Sequence, residues 1–133
     1  MSEYAFETKR TIIIKLANGE DVLQGLEKEL GRLGIQNGII QTGIGSTSAY
    51  HIHVVDSMGL PVDNIYFRAE GPYDIVNMQG YILNGRVHAH ISLGDNKDGT
   101  QRGGHLEIGC RVLTFCAISV LETTAIGEDL DQA

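Results

Sequence analysis

The sequence predicts a single domain of α+β class, and three observations predict it. Several runs carry the alternating or continuously apolar pattern of strands, one run carries helical spacing, and the 133 residues contain no fixed-period repeat or linker. A chain of this length buries a real but modest core as one unit.

Taken in order, Thr11 to Leu16 (TIIIKL) is rich in β-branched residues and reads as a first strand, after which ANGED turns the chain. Val22, Leu23, Leu26, Leu30 and Leu33 then recur at helical spacing. Glu20 and Asp21 sit at the positive end of the helix dipole and Gly34 is placed to terminate it, so a helix is predicted over about 20–33 with its apolar stripe laid on a sheet. Ile35 to Ile40 leads into a second strand and the GIGS turn at Gly43 to Ser46. With no third glycine opening a helix, that turn reads as tight backbone passage rather than a phosphate cradle.

YHIHVVD places His51 and His53 on one strand face, SMGLPVDN is a turn-rich loop, and NIYFRAE is a short strand broken by Gly71 and Pro72. Asp74 to Leu83 alternates imperfectly, and Gly80 marks a bulge or the close approach of another backbone. Asn84 and Gly85 form a hairpin turn into the next strand, bringing Tyr81 or Met78 beside it as packing partners. His105 to Gly109 is too short to assign. Val112 to Leu121 is nearly continuously apolar and reads as a strand buried on both faces, at the sheet centre or a subunit contact. Residues 1–8 and the acidic, aperiodic 124–133 are expected as flexible ends.

Composition narrows the function. Seventeen acidic against ten basic residues give a net charge of −7, which disfavours DNA because phosphate neutralisation dominates that affinity. No segment approaches the ~20 apolar residues that span a bilayer, and MSEYAFETKR lacks the basic-then-apolar pattern of a signal peptide, leaving the cytoplasm as the expected compartment. Cys110 and Cys116 fit reduced thiols there; Cys110 lies close enough to His105 in sequence to be a reserve ligand, with small buried hydrophobe the favoured role.

The chemistry concentrates between Gly85 and Gly109, which hold three of the five histidines. On a strand, His88 and His90 project from one face about 6–7 Å apart. The turn-forming GDNKDG then returns the chain to Gly103, Gly104 and His105, where two glycines let the backbone come close. Three imidazoles plus water form the open tetrahedral set that suits zinc or another divalent transition metal. Glu107 and Asp95 are candidates to orient the rings, with Glu107 also the one nearby glutamate able to accept a proton. Arg86, Arg102 and Arg111 lie in or beside the segment as a candidate anion-receiving rim, with solvated strand ends as the plain alternative. His51 and His53 are weaker ligand candidates. No Ser-His-Asp or Cys-His arrangement supports nucleophilic catalysis, so enzyme status is left undecided.

The ordered set PYDIVNMQGYI, VHAHISLGD and GGHLEIGCRV, with GIGS and the amphipathic stretch before it, resembles the PPC ("plants and prokaryotes conserved") domain family over nearly the whole chain. The resemblance implies an α/β sandwich with a largely antiparallel sheet, assembled as a homotrimer. It also implies a metal site, zinc by expectation, at His88, His90 and His105. Plant relatives carry an AT-hook and stand-alone members are often described as DNA-binding, but no R-G-R-P hook is present here. The leading expectation is a zinc-binding homotrimer whose three-histidine site is open to water or a small anionic ligand. A DNA-binding regulator is the alternative. A cupin-like metalloenzyme is a second: H-x-H followed by Asp95 imitates cupin spacing, but a glutamate at the fourth ligand position is missing.

Overall fold

The computed structural model describes residues 1–133. Its elements are β1 (Thr8–Ala17), α1 (Val22–Leu33), β2 (Gly38–Val55), β3 (Asn64–Leu83), β4 (Arg86–Asp95), β5 (Gln101–Leu106) and β6 (Arg111–Thr123). All six strands form one antiparallel sheet in the order β1-β6-β2-β3-β4-β5, curled so far that β5 also pairs with β2. The domain is therefore mainly β, with one helix of 12 residues in its hollow, and the expected balance of an α/β sandwich is corrected.

The helix begins and ends where capping chemistry dictates. Asp21 stands in extended geometry and accepts a hydrogen bond from the Gln24 amide at 2.9 Å, and Gly34 closes the helix in the left-handed region at φ 70°. Val22, Leu26 and Leu30 are buried and join Ile14, Leu16, Ile118 and Val120 in the core on the concave face of the sheet.

Glycines decide how tightly the sheet can curl. The GIGS segment is not a turn but part of the 18-residue β2. A Cβ on Gly45 would lie 1.9 Å from the Phe115 carbonyl oxygen, so only glycine admits β6 there, in keeping with tight backbone passage. In β5, a Cβ on Gly104 would lie 2.6 Å from the His53 carbonyl oxygen, and this close approach lets a six-residue strand wedge between β4 and β2.

One strand boundary differs from expectation. Gly71 and Pro72 do not break β3, which runs 20 residues; the register shifts where they face β2, so the missing proline N–H falls at a bulge. The β6 strand lies inside the sheet between β1 and β2, and within one chain a single face of it is buried. Val112, Cys116, Ile118 and Val120 face the core, whereas Leu113 and Phe115 are exposed on the other side. Ile13 and Ile44 share that uncovered face, which leaves apolar surface without a covering layer.

The turn at Asn84 (φ 51°) and Gly85 (φ 85°) joins β3 to β4 as the sequence indicates. The 124–133 segment, expected to fray, folds back along this hairpin: Ile126 is buried, Asn84 donates to Glu128 at 2.6 Å, and Arg86 to Asp131 at 2.5 Å. At the other end, the Glu7 amide donates to the Thr124 hydroxyl. Both cysteines are unpaired and buried in the core, their thiols pushed up by burial to about 11 for Cys110 and about 12 for Cys116, in keeping with small buried apolar groups. No helix is long and apolar enough to cross a membrane.

Candidate metal centre

Strand alternation builds the site. Val87, Ala89, Ile91 and Leu93 of β4 face the core, which turns His88 and His90 to the outer surface. His105 of β5 is paired directly opposite His90, and His53 of β2 directly opposite His105. Four imidazoles from three neighbouring strands thus share one surface.

Their ring centroids are 5.6 Å apart for His88 and His90, 4.5 Å for His88 and His105, and 5.8 Å for His90 and His105, while His53 stacks on His105 at 4.3 Å. Three rings sharing a tetrahedral cation at ~2.0–2.1 Å from each nitrogen stand with centroids roughly 5 Å apart, so the spacing of His88, His90 and His105 suits that role. Their nitrogens are not yet converged, however. The group whose donor atoms all lie within 4.8 Å of one another is His53, His105 and Glu107, and bringing in His88 and His90 requires rotation of their rings.

Hydrogen bonds fix some of these rings and leave His90 and His105 without one. Nδ1 of His88 is 2.7 Å from Asp131, Nδ1 of His53 is 2.5 Å from Glu107, and Nδ1 of His51 is 2.7 Å from the Ile108 carbonyl oxygen. Nδ1 of His105 is buried with no partner, lying 3.6 Å from Glu107. Partial desolvation, reinforced by the nearby His88 and His53, holds the exposed His90 and half-buried His105 below the ordinary imidazole value. Both rings are thereby shifted toward the neutral form that binds a cation. Asp131 is held far below the carboxylate range, first by its hydrogen bond from Arg86.

The expected neighbours are only partly present. Glu107 stands beside His53 and His105. Asp95 is at the far end of β4, where it accepts from Arg102 at 3.1 Å and from the Lys97 amide at 2.8 Å, so it orients no histidine and that expectation is corrected. Nor do the three arginines form one rim. Arg86 borders the site but is committed to Asp131, Arg102 pairs opposite Leu93 seven residues further along β4, or ~23 Å, and Arg111 opens β6 opposite Ala49. Sequence reasoning missed Asp131, which lies in an aperiodic tail, and underweighted His53, for which the repeated H-x-H pattern was the available signal.

Beside the histidines, a groove of about 640 Å³ runs over the outer face, lined in part by Gln41, Gln79, Tyr81, His88, His90 and Asp131. The donor set fits a first-row transition metal: neutral imidazoles, a carboxylate on one ring, an unpartnered buried nitrogen on another, and open access from the groove.

The solved structures of several proteins share this fold. The metal-containing protein AF0104 from Archaeoglobus fulgidus is 25% identical with a TM-score of 0.81, over 96% of this chain and 89% of that one. A plant- and prokaryote-conserved (PPC) protein from Pyrococcus horikoshii is 27% identical with a TM-score of 0.79, over 94% and 86%. Among curated proteins, the bifunctional protein GlmU of a Synechococcus strain is 26% identical over 110 residues; these cover 83% of this chain but only 16% of that much longer relative. The profile of the Plants and Prokaryotes Conserved (PCC) domain matches residues 4–124, and the chain belongs to that family.

Proposed function

We propose that this protein is a metal-binding homotrimer in which His88, His90 and His105 hold zinc or another divalent transition metal, with one coordination position open to a small ligand entering from the adjoining groove. The observation that carries the reading is the placement of His105. The hairpin return through Gly103 and Gly104 sets its ring 4.5 Å from that of His88 and 5.8 Å from that of His90, on one surface. The likeness to a metal-containing archaeal protein of the same fold supports it.

Each residue has a defined part. Asp131 accepts from Nδ1 of His88 and leaves Nε2 as the free nitrogen, the outer-carboxylate arrangement common around histidine ligands. Partial desolvation and the neighbouring rings lower the proton affinity of His90 and His105, which reduces proton competition with a cation. Gln41, Gln79 and Tyr81 give the groove amide and hydroxyl groups to position a small polar ligand. A bound cation of this class supplies Lewis acidity. Self-association is supported by the uncovered sheet face with Ile13, Ile44 and Phe115 exposed. The net charge of −7 disfavours duplex DNA.

The test is elemental analysis of protein purified without an affinity tag, alongside His88→Ala and His105→Ala. Metal in the parent protein, at a lower content in both variants, is expected. A parent protein without metal after growth in zinc-replete medium would overturn the reading.

A further inference from the structure

Four histidines and a glutamate are more donors than one tetrahedral position accepts. We propose that His53, His105 and Glu107 form a second cation position beside the three-histidine one, with the His105 ring bridging the two, so that each chain holds a pair of first-row transition-metal ions. The bridge rests on the reading of His88, His90 and His105 given above; the second donor set does not.

Geometry carries the inference. The donor atoms of His53, His105 and Glu107 lie within 4.8 Å of one another, the tightest set of metal-ligating atoms in the molecule. Ligands ~2.0–2.1 Å from a tetrahedral ion stand roughly 3.3 Å apart, so small side-chain rotations close the triangle. The backbone already fixes its members: His53 and His105 are cross-strand partners, held close by Gly104 against the His53 carbonyl oxygen. Their rings stack 20° from parallel, so one of them turns about its side-chain bonds to aim both in-plane lone pairs at a common ion.

A second, independent observation points to a ligand. Nδ1 of His105 is buried and has no hydrogen-bond partner, a state costing about 1–3 kcal/mol where nothing compensates it. Glu107 does not supply that partner, because it lies 3.6 Å away and its nearer oxygen is engaged by His53 at 2.5 Å. A cation between the three would satisfy Nδ1 and take up the carboxylate charge together. The two nitrogens of an imidazole point to opposite edges of the ring, so with Nδ1 serving this position Nε2 is left to face His88 and His90. Filling both positions removes the one remaining ring proton of His105, which passes to solvent, and the ring binds as an imidazolate. Each event is a ligand exchange with no change of oxidation state.

The experiment is a titration of chelator-stripped, tag-free protein with zinc and, separately, cobalt(II), counting equivalents per chain and protons released. His53→Ala, Glu107→Gln and His88→Ala are titrated alongside, with circular dichroism to establish folding and His53→Gln as a second variant should His53→Ala not fold. The expected result is two equivalents for the parent protein with an additional proton released on the second, and one equivalent for each variant. One equivalent in the parent protein, taken up unchanged by His53→Ala and Glu107→Gln but lost in His88→Ala, overturns the second position and leaves the three-histidine reading standing. One equivalent lost in Glu107→Gln and kept in His88→Ala supports the new position and defeats the three-histidine one. No binding at all defeats both.

Discussion

The Asp131 carboxylate accepts hydrogen bonds from both Arg86, at 2.5 Å, and Nδ1 of His88, at 2.7 Å. An ionised carboxylate only accepts, so this contact assigns the proton of His88 to Nδ1 and frees Nε2. A residue 43 positions downstream thereby sets the orientation of a ring on β4. Asp131→Asn should weaken zinc binding about 10–100-fold while leaving the far-ultraviolet circular dichroism unchanged. Competition against a chromogenic chelator measures it; an affinity within twofold of the parent protein would separate Asp131 from the site.

Asp95 serves as the contrasting carboxylate. It is held below the ordinary range first by the Lys97 amide and then by Arg102, and it touches no histidine. Asp95→Asn is therefore expected to leave zinc affinity unchanged. Because its folded value is depressed, its contribution to stability is complete above the unfolded carboxylate value near ~4 and disappears as pH falls through the folded value. The stability difference between parent and variant should shrink between about pH 5 and 3 in urea titrations. A difference that widened in acid would contradict this.

Glycine substitutions separate close approach from chain flexibility. Gly104→Ala places a methyl 2.6 Å from the His53 carbonyl oxygen and should cost about 1–3 kcal/mol while displacing His105. Gly31→Ala, in the helix interior with nothing within 4 Å, should stabilise by about 0.5–1 kcal/mol. Denaturant midpoints for the two variants should shift in opposite directions.

The apolar part of the outer face, around Ile13, Ile44 and Phe115, should be covered in solution. Sedimentation of the parent protein is expected to give three times the 14.5 kDa chain mass, and Phe115→Lys or Ile13→Lys to reduce it. Both variants sedimenting with the parent would place the contact elsewhere.

What the sequence made legible follows from the range of the interactions involved. The helix, its Asp21 and Gly34 boundaries, the Asn84–Gly85 turn and the alternation that presents His88 and His90 together are local, so spacing reveals them. The continuity of β3 through Pro72 depends on a bulge facing β2, and the existence of β5 depends on glycines fitting between two distant strands; neither is written in its own segment. The same holds at the site. H-x-H and GGH announced three rings, but the partnership of His53 with His105 comes from a β2–β5 pairing that closes the sheet, and Asp131 reaches His88 from a tail without periodicity. Asp95 failed for the opposite reason, since nearness along the strand carried it to the far end of β4.

Anomalous diffraction at the zinc edge, from crystals of tag-free protein grown with zinc, locates the ion. A peak is expected within ~2.0–2.1 Å of a ring nitrogen of each of His88, His90 and His105. A metal-loaded crystal in which no peak touches all three rings would contradict the three-histidine site.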